Sequence, residues 1–367
     1  MEPFKNHVER LLRVLTNRGL QAALIYSSPN IFYFTGTDAP SVSIILENGE
    51  VLLVASRLEY LRAVEERAVG DVYAFSSQEE VAEYERVVER DLYGAVKKLL
   101  GSIPPEKVGI AGASPDVKKR LAEKLGAEPL DITREVLNLR RQKDSAEISR
   151  IRESIRVAEL AMRKALDTLD KGVREVDIAV EVLSLILKSG AQPSFDPIIA
   201  FGDHAAQPHA KPTQRELREG DVVKIDLGAK VNGYCSDMTR SVIFGKPSQK
   251  QERVFRAVIK ALEKSIESLQ AGKAAKEVYS AAFKALKEEG LHIYFNHGLG
   301  HGVGIEIHEE PYLNSENESP LLVGDIVTIE PGVYMAGYLG VRIEDMLYVR
   351  EDGAELLTYF PRDYLVM

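Results

Sequence analysis

Hydrophobic and polar positions in the first third of the chain follow helical and strand periods in turn. Apolar residues from Val8 to Leu15 form one stripe, which predicts a helix over residues 4–17. Apolar and β-branched runs predict strands over residues 22–26, 43–46, 51–55 and 108–111, and a further helix is predicted over residues 81–100. These elements indicate a small α/β domain over residues 1–131.

The rest of the chain repeats one order of elements. Helices are predicted over residues 144–172 and 176–188 ahead of one strand pair, and over residues 249–269 and 275–289 ahead of another. This order predicts an α+β domain over residues 144–367 whose two duplicated halves meet at a pseudo-twofold axis, where a cleft would collect side chains from both. The basic stretch 132–143 is interpreted as a linker with a solvated helical face.

Each strand pair opens with nearly the same phrase. Residues 220–226 read Gly-Asp-Val-Val-Lys-Ile-Asp, and residues 324–330 read Gly-Asp-Ile-Val-Thr-Ile-Glu. Each phrase is a turn signal, a buried strand and a terminal acid. A second acid follows each phrase, Asp237 after the first and Glu344 after the second, so the two pairs deliver four carboxylates.

The first pair can be built from its turn. An Asn-Gly dipeptide beginning at Asn232 predicts a two-residue hairpin. In that register Asp226 lies diagonal to Asp237 on one face of the ribbon, within reach of a common point. We expect Glu330 and Glu344 to be presented in the same way.

Four carboxylates in one cleft need a cation, because like charges and burial raise their pKa values. The alternative is that each acid sits in its own ion pair or turn. Since the four acids end two related strand pairs, we expect them to share one site. His301, in a glycine-rich run, completes an oxygen-rich set without sulfur. Such a set favours two divalent ions, Mn²⁺, Fe²⁺, Co²⁺ or Zn²⁺, in a hydrolase.

Composition restricts the other functions. The 367 residues carry a net charge of −9 without a basic run, which argues against nucleic-acid binding. No apolar run is long enough to span a membrane and no signal core is visible, so we expect no membrane association and a cytoplasmic protein. Cys235 is the only cysteine, which excludes an internal disulfide and predicts a packed core thiol. Asp38 is interpreted as a solvated turn acid rather than a functional one.

In this order, Asp226, Asp237, His301, Glu330 and Glu344 resemble the five metal ligands of the pita-bread metallopeptidases. The likeness extends to the phrases His-Gly-Val-Gly, Glu-Pro-Gly and Gly-Val-Arg-Ile-Glu-Asp. With its N-terminal domain, the chain resembles the branch that cleaves Xaa-Pro bonds, prolidase (Xaa-Pro dipeptidase) and aminopeptidase P. The resemblance implies that Asp237 and Glu344 bridge two metal ions, that Asp226 completes one site and His301 with Glu330 the other. It also implies a homodimer.

The resemblance extends to residues around the metals. His209, His297 and His308 match active-site histidines of the family and are candidates for stabilising an oxyanion. Glu330 is the candidate proton shuttle to the leaving proline nitrogen. Arg342 is expected to face the cleft and orient a carboxylate. The simpler interpretations are capped loops for the histidines and an ordinary salt bridge for Arg342.

The implied substrate is a proline-containing dipeptide or a longer peptide. Prolidases often carry an arginine shortly after the His-Glu-x-Pro phrase, where this chain has Tyr312. Tyr312 also suits an aminopeptidase P, so both activities stay open, with prolidase favoured. A metal-free creatinase-like hydrolase and a non-catalytic binding protein are the remaining classes. Both should have lost some of the five ligands, and all five are present here.

Overall fold

The computed structural model describes residues 2–363 and divides into two compact units, Met1–Arg140 and Arg141–Met367. None of the helices in the described part of the chain combines the length and the apolar character needed to cross a membrane.

The first unit is a mixed sheet with helices. Its strands are β1 (Ala22–Ile25), β2 (Val42–Leu46), β3 (Val51–Ser56), β4 (Asp71–Phe75), β5 (Val87–Glu89), β6 (Val108–Ala111) and β7 (Leu130–Asp131). The helices are α1 (Glu2–Arg18), α2 (Ser28–Thr35), α3 (Tyr60–Glu66), α4 (Leu92–Leu100), α5 (Pro115–Leu125) and α6 (Thr133–Arg141). The sheet order is β5-β4-β3-β2-β1-β6-β7, with β2 antiparallel to both neighbours and all other pairs parallel.

The predicted helix over residues 81–100 is wrong in its first half. Val87–Glu89 is strand β5, which pairs with β4, and the helix begins only at Leu92. Asp91 caps it by accepting a 2.8 Å hydrogen bond from the Gly94 amide. Pairing with a sheet edge therefore overrides the local helical pattern ahead of this cap.

Two isolated residues behave as expected. Asp38 is an exposed acid paired with Arg62 at 2.6 Å, a surface contact. Cys235 is a core thiol with 2% exposure, and burial raises its pKa to about 11.

The end of the basic stretch 132–143 is buried, so the expected solvated face is wrong there. Arg141 is 4% exposed and pairs with Asp325 at 2.7 Å, and Lys143 is 6% exposed and pairs with Glu309 at 2.5 Å. A buried cation is tolerated only beside such a partner. The partners lie far along the chain, which the local charge pattern does not reveal.

The second unit contains four long helices and several small sheets. The helices are α7 (Ser145–Asp167), α8 (Glu175–Lys188), α9 (Gln249–Ser268) and α10 (Ala275–Glu288). The strands are β8 (Gln192–Pro193), β9 (Ile198–Phe201), β10 (Val222–Leu227), β11 (Ala229–Val231), β12 (Tyr234–Cys235), β13 (Met238–Ile243), β14 (Gly300–Gly302), β15 (Glu309–Leu313), β16 (Ile326–Ile329), β17 (Gly332–Met335), β18 (Leu339–Arg342), β19 (Asp345–Arg350) and β20 (Gly353–Leu356). The sheets have the orders β13-β10-β9, β12-β11-β8, β15-β14-β16-β19-β20 and β17-β18.

The helix, helix, strand-pair order recurs as predicted, in an Asp half (residues 145–243) and a Glu half (residues 249–350). Corresponding backbone contacts repeat as well. The Gly172 amide donates to the Leu217 carbonyl at 3.0 Å, and the Gly272 amide donates to the Leu321 carbonyl at 2.8 Å. Each half buries one face of its helix pair against its own strands, which gives two related cores.

The predicted hairpin register of the Asp half is confirmed. Val231 faces Tyr234, and Asp226 faces Thr239, in one unbroken register. Both turn residues have positive φ angles, 50° and 83°, as the tight Asn-Gly turn requires. Asp237 therefore lies diagonal to Asp226.

The Glu half differs from the expected copy in its register. Ile329 pairs with Asp345, and Gly332 pairs with Arg342. The same register places Glu330 directly opposite Glu344, not diagonal to it. The long connection between β16 and β19 folds back as the β17–β18 ribbon, so no two-residue turn sets this pairing.

Candidate metal centre

The acids of the Asp half and the Glu half line one cavity of about 300 Å³. Ligand atoms of Asp237, His301 and Glu344 all lie within 4.8 Å of one another. The remaining lining residues are Phe195, Ile198, His209, Asp226, His297, Gly298, Gly300, His308, Tyr312, Glu330 and Arg342. Every site residue predicted from the sequence thus borders this cavity.

The four acids lie in a dry, negatively charged environment. Asp226 and Asp237 are each 5% exposed, and Glu344 is 1% exposed. Burial, together with neighbouring Glu344, raises the pKa of Asp237, and burial raises the pKa of Glu330 to about 7. Burial and Glu330 likewise raise the pKa of Glu344. Without a bound cation, Asp237, Glu330 and Glu344 therefore hold protons at a pH where isolated acids are ionised.

His301 presents one ring nitrogen to the acids. Its Nδ1 donates to the Gly302 carbonyl at 3.1 Å, and burial with neighbouring His308 lowers its pKa to about 4, so the ring is neutral. The Nε2 lone pair then lies 3.5 Å from Asp237 Oδ2 and 3.4 Å from Glu330 Oε1. A lone pair facing two carboxylates is repulsive unless a cation, or a proton on one of the carboxyls, lies between them.

In Asp226 and in Glu344, one carboxylate oxygen accepts a hydrogen bond and the other does not. Arg342 Nη2 donates to Asp226 Oδ2, and Thr239 Oγ1 donates to Glu344 Oε2 at 2.7 Å. Asp226 Oδ1 and Glu344 Oε1 are buried without a hydrogen-bond partner among the described residues. An unpaired buried carboxylate oxygen is costly, so these atoms fit the ligands of a cation.

Arg342 is the cation that already touches the cluster. It is 3% exposed and reaches Asp226, as described above, while its Nε lies 3.9 Å from Glu330 Oε2 and 3.1 Å from Thr239 Oγ1. The two interpretations made from the sequence, an orienting residue and a salt bridge, describe this same contact. The guanidinium fixes the Asp226 carboxylate in one orientation.

His297 is tied at both ring nitrogens. Its Nδ1 donates to the Gly298 carbonyl at 2.6 Å, and its Nε2 accepts from the Tyr334 hydroxyl at 3.0 Å, which in turn accepts from Arg342 Nη1 at 2.9 Å. Burial and Arg342 lower the pKa of His297 to about 3. The ring is therefore a neutral part of a hydrogen-bond chain, and the exposed rings of His209 and His308 remain the imidazoles at the open side of the cavity.

Comparison with protein families shows which family the chain belongs to. Residues 149–351 match Metallopeptidase family M24, and residues 7–142 match the Creatinase/Prolidase N-terminal domain. The chain belongs to metallopeptidase family M24. The predicted two-domain architecture, an α/β domain ahead of a duplicated pita-bread domain, is thereby confirmed.

Several proteins that match this chain over nearly all of its length carry the names of peptidases. The Xaa-Pro dipeptidase of Pyrococcus furiosus is 34% identical over 365 residues, which cover 98% of this chain and 100% of that protein. The structure of the Xaa-Pro dipeptidase from Bacillus anthracis has a TM-score of 0.87 and 27% identity, and covers 99% of this chain and 100% of that one. The X-Pro aminopeptidase of Thermotoga maritima also has a TM-score of 0.87, with 31% identity, and covers 98% of this chain and 99% of that one.

Sequence reasoning missed the polar residues that support the side chains lining the cavity. Thr239 and Tyr334 hold Glu344 and His297, and Lys224 is fully buried on the strand of Asp226. Burial and Arg342 lower the pKa of Lys224 to about 6. One signal was present: Lys224 has the strand parity of Asp226, so its side chain had to share the face of an acid.

Proposed function

We propose that this chain is a dinuclear metallopeptidase that hydrolyses the Xaa-Pro peptide bond, with Xaa-Pro dipeptides as its first substrates. One observation carries the proposal: acids from both duplicated halves border one cavity and aim unpaired oxygens and a neutral imidazole into it. The full-length similarity to proteins named Xaa-Pro dipeptidase supports the substrate class.

Asp226, Asp237, His301, Glu330 and Glu344 are the proposed ligands of two divalent ions, Mn²⁺, Co²⁺, Zn²⁺ or Fe²⁺. Asp237 and Glu344 would be shared, with Asp226 on one side and His301 with Glu330 on the other. When bound, such ions supply Lewis-acid polarisation of the peptide carbonyl and an activated water. An oxygen-rich donor set with one imidazole suits these metals.

The protein's own groups handle orientation and the proton. Arg342 and Thr239 hold Asp226 and Glu344 each by one oxygen, so the opposite oxygens keep a fixed direction. Glu330, whose pKa is raised to about 7 by burial in the metal-free protein, is the proposed shuttle that carries a proton on its carboxylate to the proline nitrogen of the leaving group.

His209 and His308 are the proposed donors to the oxygen of the scissile carbonyl, because both rings border the open side of the cavity. The His308 ring centroid lies 4.3 Å from that of His301, close enough for a substrate atom at the acids to reach both. His297 has a different proposed role. It stabilises the wall of the cavity, because both of its ring nitrogens already form hydrogen bonds with Gly298 and Tyr334.

Substrate length separates two candidate activities. Tyr312 borders the cavity, and partial burial with nearby Glu306, Glu310 and Glu309 raises its pKa. Tyr312 carries no positive charge that could pair with the free carboxylate of a dipeptide. This observation favours an Xaa-Pro aminopeptidase acting on longer peptides as the second candidate.

One kinetic comparison tests both. Protein stripped with a chelator and reloaded with Mn²⁺, Co²⁺ or Zn²⁺ is assayed on an Xaa-Pro dipeptide, the matching Xaa-Pro-Yaa tripeptide and an Xaa-Ala control. A higher kcat/KM on the dipeptide supports prolidase activity, and the reverse ratio assigns the aminopeptidase activity. Equal rates on the Xaa-Ala control, or full activity in the chelated protein, would contradict a metal-dependent Xaa-Pro peptidase.

A homodimer, a cytoplasmic location and the division at residues 131 and 144 are further parts of the proposal. Light scattering on the purified protein measures the subunit number directly. A monomer with full activity would remove the dimer from it.

A further inference from the structure

A buried lysine lies directly beneath the proposed site. Lys224 is 0% exposed and sits two residues before Asp226 on β10. Its Nζ donates to the carbonyl oxygens of Ala205 at 3.1 Å, Gln207 at 2.5 Å and Pro208 at 3.1 Å. Both the ammonium and the neutral amine can donate here, with three and two N–H groups respectively. All three of these hydrogen bonds thus go to one backbone segment, residues 205–208.

That segment is the lead-in to His209. It is a short 3₁₀ helix, Gly202–Ala206, followed by Gln207 in an extended conformation and a turn at Pro208 and His209. A Cβ atom on Gly340 would lie 1.8 Å from the Ala205 carbonyl oxygen, so the helix rests directly on the backbone of β18. Arg342 Nη1 also donates to the Pro208 carbonyl, at 3.3 Å. The residue immediately before His209 is therefore held by both Lys224 and Arg342.

The ends of the same loop are anchored independently. Buried Glu175 accepts hydrogen bonds from the amides of Phe201 and Thr213, each at 2.8 Å. Loss of the Lys224 contacts would consequently release the middle of the loop while its ends stay attached. This separation makes the effect of Lys224 local.

We propose that Lys224 is a positioning residue, which fixes residues 205–208 and thereby sets the place of the His209 imidazole at the mouth of the cavity. The inference rests on the proposed function, since it gives His209 a substrate-facing role. An apolar side chain at residue 224 would leave the Ala205 carbonyl without its donor. It would also remove one of two donors from the Gln207 carbonyl, which the Ala210 amide shares, and from the Pro208 carbonyl, which Arg342 shares.

Hydrogen exchange tests, without any assay of activity, whether Lys224 fixes the loop. The amides of Gln207 and Ala210 are hydrogen-bonded within the loop. In Lys224→Met both should exchange faster, while α9 and α10 keep their protection. Lys230→Met, on the same hairpin, removes a lysine without touching the loop and should leave both amides unchanged. Unchanged exchange in Lys224→Met would overturn the proposal.

A double-mutant cycle tests whether Lys224 acts on activity through His209. Lys224→Met should lower kcat/KM about tenfold in the natural background and less than about twofold beside His209→Ala, because coupled residues are not additive. Equal losses in both backgrounds would mean a general structural role and would refute positioning through His209. Lys224→Gln, which keeps two N–H donors, should recover part of the loss and replaces the Met variant if that variant does not fold. Absence of Xaa-Pro hydrolysis in the unmodified protein would instead overturn the proposed function and leave the exchange result standing.

Discussion

The Asp half and the Glu half use the same elements but place their acids differently. In the Asp half a two-residue turn leaves Asp226 and Asp237 diagonal, with Thr239 opposite Asp226. In the Glu half the register sets Glu330 directly opposite Glu344. The diagonal arrangement leaves room for Thr239, whose hydroxyl crosses to Glu344 in the other half. Duplication therefore supplied the four acids, and the differences between the two halves supply the residues that orient them.

The connection between the two acid-bearing strands also differs between the halves. The Asp half closes with an Asn-Gly turn that adds no functional side chain, whereas the Glu half inserts the β17–β18 ribbon with Tyr334 and Arg342. Arg342 crosses back to Asp226, opposite in direction to the contact from Thr239. Each half thus orients an acid of the other, and neither half is complete alone.

The largest effect is expected at Asp237, the proposed ligand that both metal ions share. Asp237→Ala should lower kcat/KM by more than about 100-fold, beyond the usual cost of losing a residue that merely supports a ligand. Metal analysis and peptide kinetics on the same sample measure it. Asp170→Ala, an exposed acid of the Asp half, is the matched control and should match the unmodified protein. Full activity in Asp237→Ala would refute the dinuclear scheme.

The second-largest effect is expected at Arg342, the residue of the Glu half that donates to Asp226. Arg342→Lys should lower kcat/KM by roughly 10- to 100-fold, because lysine keeps the charge but cannot hold Asp226, Thr239 and Tyr334 with one planar group. Arg350→Lys changes an exposed arginine of the Glu half and should have no effect. Unaltered kinetics in Arg342→Lys would show that charge alone suffices.

Metal binding should depend on pH through the buried carboxyls of both halves, since burial raises the pKa values of Asp237, Glu330 and Glu344. Burial raises the pKa of Glu330 to about 7, so below that pH the metal-free carboxyl is protonated and must lose its proton before it binds a cation. His301, with its pKa lowered to about 4, is already neutral and does not oppose binding. Apparent Mn²⁺ affinity should therefore rise as pH increases through about 7, which calorimetry of the chelated protein measures. A flat pH profile would contradict this origin.

The smallest effect is expected at the crossing contact from the Asp half. Thr239→Val removes one hydrogen bond to Glu344, worth about 1 kcal/mol or roughly a fivefold loss of metal affinity. Thr239→Ser keeps the hydroxyl and should bind metal as the unmodified protein does. Equal behaviour of the two variants would mean that the hydroxyl does not support Glu344.

Much of this molecule follows from local pattern. The repeated strand phrases, the Asn-Gly turn and the helical stripes predicted the duplicated order, the Asp-half register and the four acids that meet in the cavity. The family resemblance added His209, His297 and His308. Local pattern failed where pairing with distant chain took over, at strand β5 and at the buried pairs of Arg141 and Lys143.

The sequence by itself determined which side chains end the strands and which face they share, because strand parity and turn geometry act over a few residues. Only the tertiary structure decided what supports them: Arg342 on Asp226, Thr239 on Glu344 and Lys224 on the loop before His209. The first two contacts join residues about a hundred positions apart, in different halves, and the third joins β10 to a separate loop. Their geometry depends on how the packed elements meet, and no local periodicity encodes that.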